Sequence, residues 1–242
     1  TSLQRIFSEI PALIAIHAEE ENIINRNKKH YTNRFGSKLP IHFHPLIRSA
    51  EACYSSTAKA IELAEHCGTR LHILHLTTAR EVALLSDKPL AQKKITAEAC
   101  VHHLWFTDNN YAELRNRIKC NPAIKTHSDR EALRNGLING RIDVVGTDHA
   151  PHLLCEKQGD VLQAASGSPI IQFSVVAMLE MAHKQIFTIP EIIEKISHNP
   201  ATLYGITKRG FLRSGYYADF VIIDENSSKT ITDNDVLSKC GW

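Results

Sequence analysis

The amino-acid sequence predicts an α/β fold built on a parallel β-sheet, because short apolar segments alternate with stretches of helical periodicity. Each apolar segment is only a few residues long, as expected of strands that are covered on both faces. The segment at 94–99 is the weakest of them. The four strand candidates are residues 12–16, 70–76, 94–99 and 142–147.

Four helices are predicted between and after these strands, at residues 49–66, 128–139, 170–184 and 190–197. The first is the best marked, since small and apolar residues recur along it at helical spacing. Gly68 follows it directly and is well placed to end it. Pro190 suits the first position of the last helix.

The number of repeating units predicts an incomplete barrel. About four βα units are present, whereas a closed (β/α)8 barrel contains eight. We therefore expect about half of a TIM-like barrel, in a chain that is a portion of a longer protein. Beyond residue 208 the pattern changes to a turn-rich ribbon and a strand candidate at 218–224. This pattern assigns residues 1–208 to the partial barrel and residues 209–242 to the start of a small flanking β domain.

Composition excludes several classes of function. The chain has 242 residues, 43% of them hydrophobic and 22% charged, which is normal for a globular protein. A net charge of +2 with mixed signs gives no argument for nucleic-acid binding, and the short basic run Lys93-Lys94 is expected on a solvated face. No apolar run approaches the roughly 18 residues of a membrane span, and no secretory signal opens the sequence. Six scattered cysteines without a CxxC pair indicate a reduced, cytoplasmic protein.

Polar side chains stand at the ends of three predicted strands, and histidine is unusually frequent, with 14 residues. His17 ends the first strand, His75 lies near the end of the second, and Asp148 follows the 142–147 strand. Chemistry in parallel α/β proteins collects at the carboxyl ends of the strands, and two imidazoles with a carboxylate are a reasonable Zn(II) ligand set. Taken singly, each histidine also fits a hydrogen-bonded, partly buried residue, and Asp148 fits a helix cap or turn.

Other polar residues carry weaker signals. His42-Phe43-His44 has the spacing of a metal chelate, but Pro40 and Pro45 around it are typical of a loop. His102-His103 are adjacent, so we expect them to point to opposite sides of an extended chain, and at most one could face a site. His152 could contact an anionic substrate or be a plain loop histidine. Asn121, in an Asn-Pro turn, has no role that its spacing alone can assign.

Six motifs in register resemble those of the dihydroorotases of the amidohydrolase superfamily, and together they cover nearly all of the chain. The most specific is Gly146-Thr147-Asp148-His149-Ala150-Pro151-His152, which is similar to the family signature. The others are residues 16–20, 72–78, 96–104, 121–125, and 199–224 with its Asn-Pro-Ala and Gly-rich ribbon.

The resemblance implies a metal-dependent hydrolase that reversibly converts dihydroorotate to N-carbamoyl-aspartate in pyrimidine biosynthesis. It implies that His17 and His75 hold one Zn(II), while Asp148 binds a second and is the catalytic base. It also implies two zinc ions per intact subunit and a possible homodimeric assembly. In the family's mechanism, zinc-activated water attacks the ring amide carbonyl, and Asp148 passes its proton to the leaving nitrogen. Substrate would contact Asn121, His152 and the backbone around Ser166 and Gly167.

Two departures from the family pattern matter. The family's first-strand HxH and its bridging carboxylate or carboxylated lysine belong upstream of His17 and have no counterpart here. We therefore expect this span to be inactive alone. In addition, Ser166-Gly167-Ser168-Pro169 stands where many relatives have FGxxG, which leaves the ring contacts there less defined.

Two alternatives stay open at this point. The protein could be another cyclic-amide hydrolase, such as a dihydropyrimidinase or an allantoinase, whose neutral substrates need no partner at His152. It could also be a catalytically silent scaffold that supports a partner enzyme such as aspartate transcarbamoylase. The retained His17, His75 and Asp148 argue against the scaffold, since drift would not preserve all three ligand types.

Overall fold

The computed structural model describes residues 2–242, and a four-stranded parallel sheet forms its centre. The strands are β1 (Ile14–Ile16), β2 (Leu71–Ile73), β3 (Ile95–Cys100) and β4 (Val144–Gly146), and they lie side by side in chain order. Each neighbouring pair is parallel. The predicted α/β class with a parallel sheet is therefore confirmed, and each strand lies within or one residue beyond its predicted segment.

Helices connect the strands and follow the last one, as parallel pairing requires. None of the described helices is both long and apolar enough to cross a membrane. A π-helical turn, Glu194–His198, joins the last two of the α-helices. The α-helices are α1 (Ser2–Glu9), α2 (Glu21–Phe35), α3 (His44–Ile47), α4 (Ala50–Cys67), α5 (Ala79–Val82), α6 (Val101–Trp105), α7 (Tyr111–Leu114), α8 (His127–Ile138), α9 (Ser174–His183), α10 (Ile189–Ile193) and α11 (Asn199–Leu203).

Helix α4 shows how local sequence sets an element's bounds. The Ser49 hydroxyl accepts a hydrogen bond from the Ala52 amide at 3.3 Å, which caps the first turn. Gly68 ends the helix with φ 70°, a left-handed conformation that glycine adopts without strain. Helix α9 lies in its predicted segment, and α8 and α10 each begin one residue before theirs. Helix α2 was not predicted, because Ile24 is its one buried residue and its apolar stripe is correspondingly weak.

Strand β1 differs from its prediction as a strand buried on both faces. Ala15 is exposed, and Ile14 and Ile16 are only partly buried. The reason is position, since β1 lies at the edge of the described sheet and pairs with β2 alone. The central strands carry the core instead, with Leu71 and Ile73 fully buried.

The segment after residue 208 does not form the predicted strand at 218–224. Val221 and Ile222 are 81% and 88% exposed, and in the described part of the chain no strand lies beside them to accept their backbone hydrogen bonds. The flanking β domain and its boundary at 208/209 therefore stay predictions. The end of the chain returns to the barrel portion, where the Trp242 indole donates to the carbonyl of His152 at 2.8 Å.

A buried ion pair ties β3 to the segment that leads into β4. The Lys93 ammonium lies 2.8 Å from Asp143, with both side chains about 2–3% exposed. The other oxygen of Asp143 accepts from the Ala97 amide at 3.0 Å, inside β3. The expectation that Lys93 lies on a solvated face is wrong, because the Lys93 side chain points inward to Asp143. Lys94 is exposed.

Replacing Lys93 with methionine is expected to lower the free energy of unfolding by about 3–5 kcal/mol, because it leaves the Asp143 carboxylate buried without its cation. Urea unfolding at neutral pH measures the loss. The matched control is Lys94→Met, the exposed neighbour, for which a change within about 0.5 kcal/mol is expected. Equal effects of the two variants would show that the ion pair does not stabilise the fold.

Candidate active site

Four consecutive strands deliver polar side chains to one end of the sheet. His17 directly follows β1, His75 follows β2, Glu98 lies near the end of β3, and Asp148 follows β4. All four line one cavity of about 690 Å³. This volume lies within the range of small-molecule sites, roughly 300–1,000 Å³. The carboxyl ends of the strands therefore form a cavity rich in metal-ligating and proton-transferring groups.

The cavity also collects the predicted substrate contacts. Asn121, Ser166 and Gly167 line it, although the first is more than 40 residues from the others along the chain. Asn121 Oδ1 is buried and has no hydrogen-bond partner among the described residues. His152 lies at the rim of the cavity. It does not line the cavity itself, but its Nε2 atom is 3.1 Å from the carbonyl oxygen of Ser166, a residue that does. The roles assigned to these residues stay predictions.

The two histidines face each other. His17 Nδ1 lies 2.9 Å from His75 Nε2, and their rings meet edge to face with centroids 4.7 Å apart. Burial, with a smaller contribution from His17, lowers the pKa of His75 to about 4, so its ring is neutral near pH 7. Glu19 Oε2 lies 3.2 Å from His17 Nε2 and is itself paired with Arg48. Glu19 thus holds the His17 ring with its other nitrogen towards His75, as carboxylates do for metal-binding histidines.

Two carboxylates complete the donor set. Burial raises the pKa of Asp148 and also that of Glu98, whose Oε1 atom is 3.4 Å from the His75 amide nitrogen. Glu98 was not assigned a role from the sequence. The sequence did contain a signal, because Glu98 is the one charged residue of β3 and its neighbours Ala97, Ala99 and Cys100 are small. His75 and Asp148 both have positive φ, 38° and 43°, a conformation that is rare for residues with side chains and clusters at functional sites.

These donors fit a zinc ion by their chemistry. Imidazole nitrogens and carboxylate oxygens are preferred Zn(II) ligands, and the facing nitrogens of His17 and His75 can share at most one proton. Among the described residues, Asp148 does not form with these two a group whose donors all lie within 4.8 Å of one another. The assignment of Asp148 to a second ion stays a prediction.

A buried lysine holds the loop that carries Ser166 and Gly167. Lys157 Nζ donates to the carbonyl oxygens of Lys119 at 2.9 Å, Ala165 at 3.0 Å and Gly167 at 2.7 Å. Burial lowers the pKa of Lys157 to about 8. The ammonium therefore joins two cavity-lining loops, a function that sequence spacing did not reveal because all three partners are backbone atoms.

Gly167 allows two loops to approach closely. Its φ is 133°, and a Cβ atom there would lie 2.5 Å from Ala150 Cβ and 2.6 Å from the Ala150 carbonyl oxygen. The Ala150 amide donates to the Ser168 carbonyl at 3.2 Å, which fixes that approach. Any side chain at position 167 would push apart the loops that carry Asp148 and Ser166.

Replacing Gly167 with alanine is expected to lower the free energy of unfolding by about 2–3 kcal/mol, because strain from positive φ adds to overlap with Ala150. Chemical unfolding measures it. The control is Gly205→Ala, which shares a positive φ, of 65°, but would place its Cβ in open space. A loss of about 1 kcal/mol is expected there. A loss at Gly167 no larger than at Gly205 would contradict the close approach.

His44 makes the stability of the fold depend on pH. It is 3% exposed, and its Nε2 atom donates to the Cys120 carbonyl at 2.8 Å. Burial lowers its pKa from 6.5 to about 3. The structure also agrees with a non-strand assignment of His42-Phe43-His44, since residues 41–43 form a 3-10 turn and His42 is exposed.

Below pH 6.5 the unfolded chain binds a proton at His44 that the folded chain cannot, so stability present above pH 6.5 is lost as the pH falls towards 3. In His44→Gln, the slope of unfolding free energy against pH is expected to fall by about 1.4 kcal/mol per unit between pH 6 and 4. Urea unfolding at several pH values measures the slope. Replacing the exposed His30 should leave it unchanged. An unaltered slope in His44→Gln would refute the assignment.

A parallel α/β sheet that presents imidazoles and carboxylates at its carboxyl ends has the architecture of the metal-dependent barrel hydrolases. A family model described as "Amidohydrolase family" matches residues 3–240. The chain belongs to this amidohydrolase family.

Known proteins resemble this chain over nearly all of its length. It is 31% identical over 229 residues to the dihydroorotase of Lactobacillus johnsonii, covering 94% of this chain and 53% of the relative. It is 30% identical over 239 residues to the dihydroorotase of Halobacterium salinarum, covering 99% and 54%. The solved L-hydantoinase (dihydropyrimidinase) of Arthrobacter aurescens superposes with a TM-score of 0.82 at 25% identity, covering 90% and 49%.

The chain spans about half the length of the curated relatives it matches. The part that superposes on the hydantoinase likewise covers about half of the hydantoinase chain. The prediction of about half of a TIM-like hydrolase barrel is therefore confirmed.

Proposed function

We propose that the whole protein containing this chain is a dihydroorotase and that this chain supplies about half of its active site. The observation that carries the proposal is the convergence of His17, His75 and Asp148 on one cavity from the ends of three parallel strands. Relatives named dihydroorotase at about 30% identity support the substrate. The reaction would be reversible hydrolysis of the ring amide of dihydroorotate to N-carbamoyl-aspartate. Homodimeric assembly and a cytoplasmic location stay predictions.

His17 and His75 would hold one zinc ion and Asp148 a second, with further ligands from residues that precede this segment in the whole protein. Bound zinc would polarise the amide carbonyl and lower the pKa of water to about 7. Glu19 contributes from this chain by fixing the His17 ring through its 3.2 Å contact with Nε2. The donor set fits this assignment because it contains only nitrogen and oxygen atoms that face one cavity.

Asp148 would transfer the proton on which the reaction depends. An amide nitrogen is a poor leaving group unless it is protonated, so a group at the cavity wall must take a proton from attacking water and deliver it to the ring nitrogen. Asp148 lines the cavity together with His149, Asn121 and Ser166. It therefore faces the space in which the scissile bond would lie.

The loops would orient the ring. Asn121 Oδ1 is a buried acceptor without a partner, which suits an N–H group of a cyclic amide. Ser166 and Gly167 line the same cavity. His152 stands at the rim, where turning its Nε2 atom away from the Ser166 carbonyl would let it bind the carboxylate that distinguishes dihydroorotate from neutral rings.

The alternative is a hydantoinase-type or allantoinase-type hydrolase, which the superposition on L-hydantoinase favours. The whole protein separates the two when assayed with dihydroorotate and with dihydrouracil. We expect turnover of dihydroorotate and a rise in KM of about tenfold or more for His152→Ala, with kcat less affected. The exposed His127→Ala is the control. Preference for dihydrouracil, with no effect of His152→Ala, would favour the alternative.

A further inference from the structure

A second group of metal-ligating side chains lies behind the cavity wall. Cys100 is the last residue of β3, and His102 and His103 follow it in α6. One donor atom from each of the three lies within 4.8 Å of the others. All three residues are buried, with exposures of 0%, 5% and 3%. The expectation that the two histidines point to opposite sides of an extended chain is wrong, because the chain is helical there and the ring centroids are 4.2 Å apart.

The imidazoles of this cluster lack partners. Both ring nitrogens of His102, and Nδ1 of His103, are buried without a hydrogen bond to any described residue. Most buried polar atoms are paired, so three unpaired nitrogens in two adjacent rings require an explanation. A bound cation would satisfy Nδ1 of His103 and one of the two ring nitrogens of His102.

The tautomer of His103 points the same way. Its Nε2 atom lies 3.0 Å from the Pro122 carbonyl oxygen, to which it can only donate. Nδ1 therefore carries a lone pair and no proton. A histidine whose one nitrogen donates to a backbone carbonyl while the other faces further donors has the orientation typical of a metal ligand. Burial lowers the pKa of His102 to about 3, so this ring is neutral as well.

We propose that Cys100, His102 and His103 form a separate, buried binding site for one zinc-class divalent cation. A thiolate and two neutral imidazoles are common Zn(II) ligands, with about 2.3 Å to sulfur and 2.0–2.1 Å to nitrogen. Such bonds place the donors about 3.3–3.6 Å apart, so small side-chain rotations bring the observed group to that spacing. On binding, the Cys100 S–H bond breaks, the sulfur electron pair bonds the cation, and the proton passes to solvent.

The location gives the site a structural role. Cys100 pairs with Gly146 across β3 and β4, and its Sγ atom is 3.5 Å from Glu98 Oε1 at the cavity wall. A cation there would pin the turn from β3 into α6 directly behind Glu98. The proposal does not depend on the dihydroorotase activity, because it rests on donors that do not line the cavity.

Cobalt(II) tests the site through its colour. The cavity donors are nitrogen and oxygen only, so a thiolate-to-Co(II) charge-transfer band in the near ultraviolet would report a cysteine-containing site outside the cavity, and the cysteine variants assign it. Metal-free protein titrated with Co(II) is expected to develop the band. Cys100→Ser should abolish it and bind one metal ion fewer by elemental analysis, whereas Cys67→Ser, at a half-buried cysteine away from the cluster, should keep it.

Two outcomes would overturn the proposal: no thiolate band in folded protein with excess Co(II), or a band that survives in Cys100→Ser. His102→Gln and His103→Gln keep the thiol and guard against a Cys100 variant that fails to fold, as judged by circular dichroism. Each is expected to weaken Co(II) binding, as measured by titration of the band, by about tenfold or more. A normal band in a protein without hydrolase activity would refute the proposed function and leave this site standing.

Discussion

Hydrolysis of dihydroorotate by the whole protein is expected to fall by about 10²–10⁴-fold in Asp148→Asn. Asparagine keeps the shape of the side chain but can neither accept the proton from water nor return it to the leaving nitrogen. It is also a poorer ligand for zinc. Because the proposed substrate contacts at Asn121 and Ser166 are untouched, most of the loss should appear in kcat. Steady-state kinetics with saturating dihydroorotate measures it.

A surface carboxylate provides the control for this variant. Asp87 is exposed, and Asp87→Asn should leave kcat unchanged. Asp143 is unsuitable because its buried pair with Lys93 supports the fold. A kcat for Asp148→Asn within about threefold of the parent would show that this carboxylate is not the base. The proton would then have to move through another cavity residue such as Glu98.

Replacing Lys157 with methionine is expected to lower the free energy of unfolding by about 3 kcal/mol or more. Three carbonyl oxygens lose their shared donor, and each buried acceptor left unpaired costs about 1–3 kcal/mol, partly recovered when the loop relaxes. The loop at Ser166 and Gly167 should then move, since this ammonium links it to Lys119. In the whole protein, KM for the substrate should rise along with the loss of stability.

Lys88→Met is the matched control, because Lys88 is exposed and its ammonium forms no hydrogen bond or ion pair with the described residues. Both variants lose a positive charge, so a difference between them reports the buried contacts and not net charge. Urea unfolding and amide hydrogen exchange at residues 165–168 provide the two readouts. Unchanged protection of these amides in Lys157→Met would contradict the view that Lys157 holds the loop.

The parts of the fold that the sequence predicted are those with local causes. Apolar runs of a few residues placed all four strands, and Gly68 placed the end of α4. Helix α2 was not predicted, because Ile24 is its one buried residue and the sequence therefore shows only a weak apolar stripe there. The strand at 218–224 has apolar residues in the right order but no described neighbour to pair with, and pairing is not a local property.

The candidate site divides in the same way. His17, His75 and Asp148 could be placed because each directly follows or lies near a predictable strand end, where parallel strands bring side chains together. Glu98 carried a local signal as the one charged residue of β3, but no role followed from it, because its place in the cavity depends on the strands that flank β3. Lys157 gave no signal, because its partners are backbone carbonyls contributed by two distant loops.

The central claim is that these strand ends form about half of a dihydroorotase site. The most direct measurement is kcat/KM for dihydroorotate, determined for the zinc-loaded whole protein and for the 242-residue chain in parallel. The proposal predicts turnover by the whole protein with bound zinc, and a rate at least about 10⁴-fold lower for the chain alone. A zinc-loaded whole protein that leaves dihydroorotate intact, or a chain that hydrolyses it at the whole protein's rate, would contradict the claim.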